Sequence, residues 1–352
     1  MQTSLPPFEP WSIFAGRDGH RMTIATTLDR RRFTLTERTA QRHYLEVSPG
    51  NTVQYFLHDN GPAAIIIVHG LESSAQAQYV RGICEKALHS GLTAVRLDLR
   101  NCGGTMHLCE TLYNAGLSAD VLALARSLKT DKKYQRVYAI GYSLGGNIVL
   151  KALGEDDAKA TAKERLLDGG VAVCPPAELA ECVAAMERNG RLYELNFLLS
   201  LKRKLRQKSR LFPSVYGTRD SINIAMQKLK TLRDFDHHIT APDAGYATGA
   251  DYYHGASAMR VVSRITAPTL ILTSTDDPMV PVASLQQDAV LKNENIFLEV
   301  VSGGGHCGFI HKEAVALDDK SPRDRYWAEW RALEYCLALE AMHKSLPVVT
   351  DM

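Results

Sequence analysis

The chain has 352 residues, 45% of them hydrophobic, and its 41 Lys and Arg against 39 Asp and Glu leave a formal net charge of +2. That much apolar material argues against disorder and fits one enlarged α/β domain or two ordinary ones. So small a charge, with no stretch that interleaves basic and aromatic residues, argues against a nucleic-acid partner.

Residues 1–50, with the basic run Arg30-Arg31-Arg32, are read as an N-terminal arm or short edge strands. Residues 1–16 carry prolines and Glu9 where a secretory leader needs an apolar run, and no apolar stretch is long enough to span a membrane. The seven cysteines are odd in number, scattered and without a CxxC pair. They read as free thiols in a reducing, cytoplasmic setting and argue against a zinc site.

From residue 51 the pattern becomes regular. Strands are predicted at 53–57, 63–68, 92–99, 136–141 and 170–174, with helices at 74–90, at 118–128 and after Gly145. The run Ala63-Ala64-Ile65-Ile66-Ile67-Val68 is apolar throughout, as a strand covered on both faces should be. Alternation of this kind predicts an α/β fold with a mostly parallel, doubly wound sheet. It breaks over 176–264, which reads as a helical lid inserted at the C-terminal edge of the strands. It resumes with strands at 269–273 and 296–301 and a closing helix at 324–343. The core is thus assigned to 51–175 and 265–352.

Gly141, Ser143 and Gly145 fill a GxSxG pattern between the strand at 136–141 and the next helix. A serine at so sharp a turn is strained, and its neighbours two positions away need to lack side chains. The hydroxyl then stands clear of the sheet beside the first free N–H groups of the helix. Ser143 is the candidate nucleophile. Such a hydroxyl needs a histidine base and a carboxylate to orient it. His306, in Gly303-Gly304-Gly305-His306-Cys307-Gly308, follows the last predicted strand. Asp276 and Asp277 follow the strand that resumes the sheet, and since neighbouring residues leave a strand on opposite sides, only one can face His306. Asp277 is favoured, because it directly precedes the turn-forming Pro278, leaving Asp276 as a turn cap. Backbone N–H groups of Leu71, in His69-Gly70-Leu71-Glu72, and of Leu144 are the candidate oxyanion donors. His69 itself reads as packed beneath that loop. The segment 198–208, with Lys202, Arg203, Lys204, Arg206 and Lys208, reads as a solvated basic helix of the lid, with weak contact to anionic lipid as its other reading. Tyr252 and Tyr253 line the substrate entrance or pack under the lid. Cys102 is taken as structural.

These motifs, with Arg100-Asn101-Cys102-Gly103-Gly104-Thr105, Phe235-Asp236 and Asp251-Tyr252-Tyr253, give the chain a resemblance to the α/β-hydrolase fold. Within that fold it resembles the group of YheT-like bacterial proteins, EMB8-like plant proteins and ABHD1/ABHD2/ABHD3-type animal lipid esterases. The resemblance implies a Ser–Asp–His triad and esterase or lipase-type activity. It departs at Asn101, where relatives usually carry Gly, and at Tyr113-Asn114-Ala115-Gly116, so a His-x4-Asp acyltransferase signature is not supported. The expectation is a serine hydrolase that needs no cofactor or metal and acts on small-molecule acyl esters of medium or longer chain. A thioesterase or acyltransferase with the same triad, and a non-catalytic scaffold of the same fold, are the alternatives.

Overall fold

The computed structural model describes residues 4–11, 19–28, 31–132, 134–157, 164–319 and 321–345; the leader reading of residues 1–16 and the start of the basic run at Arg30 lie partly outside them. Strand β3 (Ala63–Val68) is buried at every position. Ala64, Ile66 and Val68 enter one hydrophobic cluster and Ala63, Ile65 and Ile67 another, the period-two alternation of a strand covered on both faces. Around it runs an eight-stranded sheet of order β1-β2-β4-β3-β5-β6-β7-β8. The strands are β1 (Gln41–Ser48), β2 (Asn51–His58), β4 (Thr93–Asp98), β5 (Arg136–Tyr142), β6 (Gly169–Val173), β7 (Thr269–Ser274) and β8 (Ile296–Val301). All neighbours from β4 onward pair in parallel, whereas β2 is antiparallel to both β1 and β4.

Two helices open the described chain, α1 (Gly19–Leu28) and α2 (Thr34–Thr39). Helix α3 (Gln78–His89) covers one face together with the C-terminal helix Trp327–Ser345, through Val80, Ile83, Trp330 and Leu333. Helices α4 (Ser118–Thr130) and α5 (Leu144–Asp157) cover the other, through Val121, Leu124, Ile148 and Leu150.

The structure differs from the sequence reading at three places. The N-terminal residues supply α1 and α2 as well as the edge strand β1. The closing helix starts at Trp327, because Asp324–Tyr326 forms β10, paired with β9 (Ile310–Val315) in a small second sheet. Asp324 accepts from the Trp330 indole N–H at 3.0 Å and, with Glu329, binds Arg31 and Lys86. The bonds from Arg31 and Lys86 are long-range, and local helical periodicity does not register them.

The third difference concerns residues 176–264, which connect β6 to β7 entirely by helices and turns. They include α6 (Leu179–Asn189), α7 (Arg191–Leu211) and the helix Gly249–Ala256. Along α7, Leu198, Leu201 and Leu205 join the core cluster. The basic residues of this helix are not all solvated. Lys208 is fully buried, donates to the Cys109 carbonyl and lies over the Phe212 ring at 4.1 Å. Lys204 pairs with Glu72 at 2.8 Å and lies over the Tyr113 ring at 4.4 Å. An amphipathic pattern shows which face is polar, but not that another part of the chain closes over that face.

Candidate active site

Ser143 joins β5 to α5 with φ of 53°, in the left-handed region that is costly for a residue with a Cβ. A Cβ on Gly141 would lie 2.2 Å from the Gly145 carbonyl oxygen, and one on Gly145 would lie 2.4 Å from that of Val68. The glycines two before and two after the serine are thus required by close backbone approach. The Ser143 N–H donates to Val173 O at 2.8 Å and its carbonyl accepts from the Gly146 N–H at 2.8 Å. These bonds hold the strained residue from both sides.

Three loops bring the predicted polar groups together. His306 Nε2 lies 2.8 Å from Ser143 Oγ, and His306 Nδ1 lies 2.8 Å from Asp277 Oδ2. The other Asp277 oxygen accepts the N–H groups of Met279 and Val280 at 2.8 and 2.9 Å, which fixes the carboxylate at its turn. Asp276 turns away, taking the Ser274 hydroxyl and the N–H groups of Gly303 at 3.2 Å and Gly305 at 3.1 Å. It braces the histidine loop from below. Burial disfavours charge on His306, but the Asp277 carboxylate and the Cys307 sulfur outweigh it and hold its pKa well above the ordinary imidazole value.

His69 is buried beneath the loop after β3: Nε2 accepts from the Leu99 N–H at 3.1 Å, and Nδ1 donates to Gly70 O at 2.8 Å. Burial lowers its pKa to about 4, so it is a neutral strut. A Cβ on Gly70 would stand 3.1 Å from Ser143 Cβ, so this loop runs directly over the serine. Leu71 and Leu144 both border the cavity at Ser143. Glu72 accepts from the Tyr113 hydroxyl at 2.6 Å and is bound from the insertion by Lys204 and Ser200. Burial pushes the Cys102 thiol up to about 11.

One contributor left no signal in the sequence. Helix α1 packs on both acid and base loops: a Cβ on Gly19 would strike the Asp276 carbonyl at 1.9 Å, and Thr23 Oγ1 accepts the His306 N–H at 2.8 Å. Neither residue sits in a recognisable pattern. Their relevance comes only from α1 folding back across the sheet edge.

The cavity has two lobes that meet at Ser143 and His306. One, of about 90 Å³, is mostly apolar and includes Leu179, Val183, Met186, Leu201 and Val280. A buried polar cluster interrupts it. Thr240 and Tyr253 donate to the Asp236 carboxyl, each at 2.8 Å, and burial raises its pKa to about 6. The second lobe, of about 510 Å³, is also mostly apolar but carries polar side chains, among them Ser73, Gln78, Tyr79, Tyr193 and Asn196. Among the described residues, no helix is long and apolar enough to cross a membrane.

Comparison with known proteins agrees with this architecture. Residues 63–313 match the family described as alpha/beta hydrolase fold. The Escherichia coli protein named "Putative esterase YheT" is 30% identical over 83% of this chain and 84% of its own length. A Saccharomyces cerevisiae protein named monoacylglycerol lipase is 26% identical over 82% of this chain, which spans 62% of that relative. Among solved structures, the Pyrococcus furiosus esterase Pf2001 superposes with a TM-score of 0.52 at 18% identity, covering 80% of this chain and 90% of that one. At that identity the likeness is one of fold.

Proposed function

The chain belongs to the alpha/beta hydrolase fold family, and from that premise we propose that it is a carboxylic ester hydrolase acting through Ser143, His306 and Asp277. The observation that carries this reading is the unbroken hydrogen-bond relay from Ser143 Oγ through both ring nitrogens of His306 to Asp277. Ser143 attacks the ester carbonyl while His306 Nε2 takes its proton, and Asp277 fixes the tautomer and stabilises the imidazolium that forms. The N–H groups of Leu71 and Leu144 hold the oxyanion. His306 returns the proton to the leaving alcohol, and water activated by the same nitrogen releases the acid. Relatives named esterase and monoacylglycerol lipase support an ester as substrate.

The two lobes that meet at Ser143 support a division of that ester into its two halves. The acyl chain, read as medium or longer, enters the smaller lobe, lined by Leu179, Val183, Met186 and Leu201. The alcohol half occupies the larger lobe, which carries polar side chains such as Ser73, Gln78 and Asn196. That lobe also has room for an alcohol acceptor, so acyl transfer is the second reading. The insertion carrying α6 and α7 acts as the lid that shapes the acyl lobe.

A fluorophosphonate probe tests the reading, with adducts located by mass spectrometry. Labelling at Ser143 that is lost in Ser143→Ala is the expected result; no labelling of folded protein would overturn it. Product analysis of p-nitrophenyl octanoate turnover, with and without added ethanol, separates hydrolysis from transfer.

A further inference from the structure

Two cysteines that are far apart in sequence meet behind the histidine. Cys174 directly follows β6 and Cys307 follows His306, and both have positive φ, 47° and 63°. The Cys307 N–H donates to Cys174 Sγ at 3.4 Å. Donor atoms of Cys174, Cys307 and His306 all lie within 4.8 Å of one another. Two thiolates and an imidazole are the donor set that thiophilic d¹⁰ cations prefer, and two metal–sulfur bonds of about 2.3 Å place their sulfurs about 3.8 Å apart. Closing the set onto one ion therefore needs side-chain shifts of about 1 Å or less. The Tyr142 hydroxyl, packed in the same cluster as Cys174 and Cys307, is buried and has no hydrogen-bond partner among the described residues. Buried hydroxyls are rarely left so. Cys307 also borders the larger lobe of the cavity, which gives an ion a way in.

We propose that Cys174, Cys307 and His306 form a binding site for a thiophilic divalent cation of the zinc class, and that its occupation reversibly switches off Ser143. On binding, both sulfurs enter as thiolates and His306 as neutral imidazole, so the remaining thiol proton and the imidazolium proton pass to solvent as two metal–sulfur bonds and one metal–nitrogen bond form. His306 uses one nitrogen toward Ser143 and the other toward Asp277, so whichever one binds metal, the relay is broken. The inhibitory consequence rests on the reading of His306 as the base; metal binding itself does not.

The two are separable by experiment. Cadmium, a spectroscopic stand-in for zinc, is titrated into Ser143→Ala protein in the presence of a phosphine reductant, reading the ultraviolet thiolate-to-cadmium charge-transfer band. A saturable one-equivalent band that is lost in Cys174→Ala/Cys307→Ala is expected; no band, or the same band in the double variant, overturns the site. As a check that needs no variant, one equivalent of cadmium should protect Cys307 from iodoacetamide in the unmodified protein, and unchanged alkylation would count against it. Zinc should then slow the fluorophosphonate reaction of the native enzyme, with recovery on adding EDTA. The Cys174→Ala variant, normalised to its own metal-free rate, should need at least about tenfold more zinc. Metal binding without slowing would retain the site and reject the switch.

Discussion

The sheet edge and the helical insertion contribute to one cavity by different physical means. At the edge, position is set by backbone: the strained φ of Ser143, the glycines that allow chain to cross chain, and N–H groups that grip Asp276 and Asp277. In the insertion, position is set by side chains. Leucines of α7 enter the core, while buried Lys204 and Lys208 tie that helix to Glu72 and the Cys109 carbonyl. A backbone frame fixes atoms to the fraction of an ångström that proton transfer needs, whereas side-chain packing sets the shape of a pocket and can vary without breaking the frame.

The sharpest challenge to that division is at the paired aspartates. Asp277→Asn should lower kcat for p-nitrophenyl butyrate by about 10³ to 10⁴-fold with the fold intact, because the amide orients the wrong imidazole tautomer. Asp276→Asn should cost less than about tenfold in kcat and act chiefly on thermal stability, since it braces the loop without touching His306. Equal losses of activity would show that loop support and catalysis are not separable here.

Next in size is the anchor of the insertion. Lys204→Met leaves Glu72, whose side chain is 7% exposed, without its counter-charge. Urea denaturation should show a loss of about 3 kcal/mol, most of it recovered in Lys204→Met/Glu72→Gln. No recovery would mean that Lys204 contributes through its stem and the Tyr113 ring instead.

A smaller effect is expected inside the lobe proposed to take the acyl chain. Val183→Phe removes space without touching Ser143, His306 or Asp277, so kcat/KM for the octanoate ester should fall about 10 to 100-fold relative to acetate. A parallel fall for both esters would place the acyl chain elsewhere.

The smallest effect is a pH dependence. Asp236 has a folded pKa of about 6, above its ordinary value, so between about pH 4 and 6 the folded chain keeps a proton that the unfolded chain releases. Its contribution to stability is present below that window and declines as pH rises through it. Asp236→Asn removes the decline, so its stability relative to the parent should improve by about 1 to 2 kcal/mol from pH 4 to pH 7. A constant difference would mean that the carboxyl stays ionised throughout.

The sequence by itself determined the parallel sheet, because strands buried on both faces are continuously apolar and β3 could be read from its own six residues. It also pointed to Ser143, Asp277 and His306, since a strained turn and loops following strands carry local marks in glycine, proline and spacing. Only the tertiary structure decided what depends on meetings between distant segments. Those are Thr23 against the histidine loop, Lys204 and Lys208 closed over by the core, and Cys174 beside Cys307. Each joins residues about 100 or more positions apart, and no local periodicity or motif encodes such a distance; it is set when the sheet edge, α1 and the insertion pack against one another.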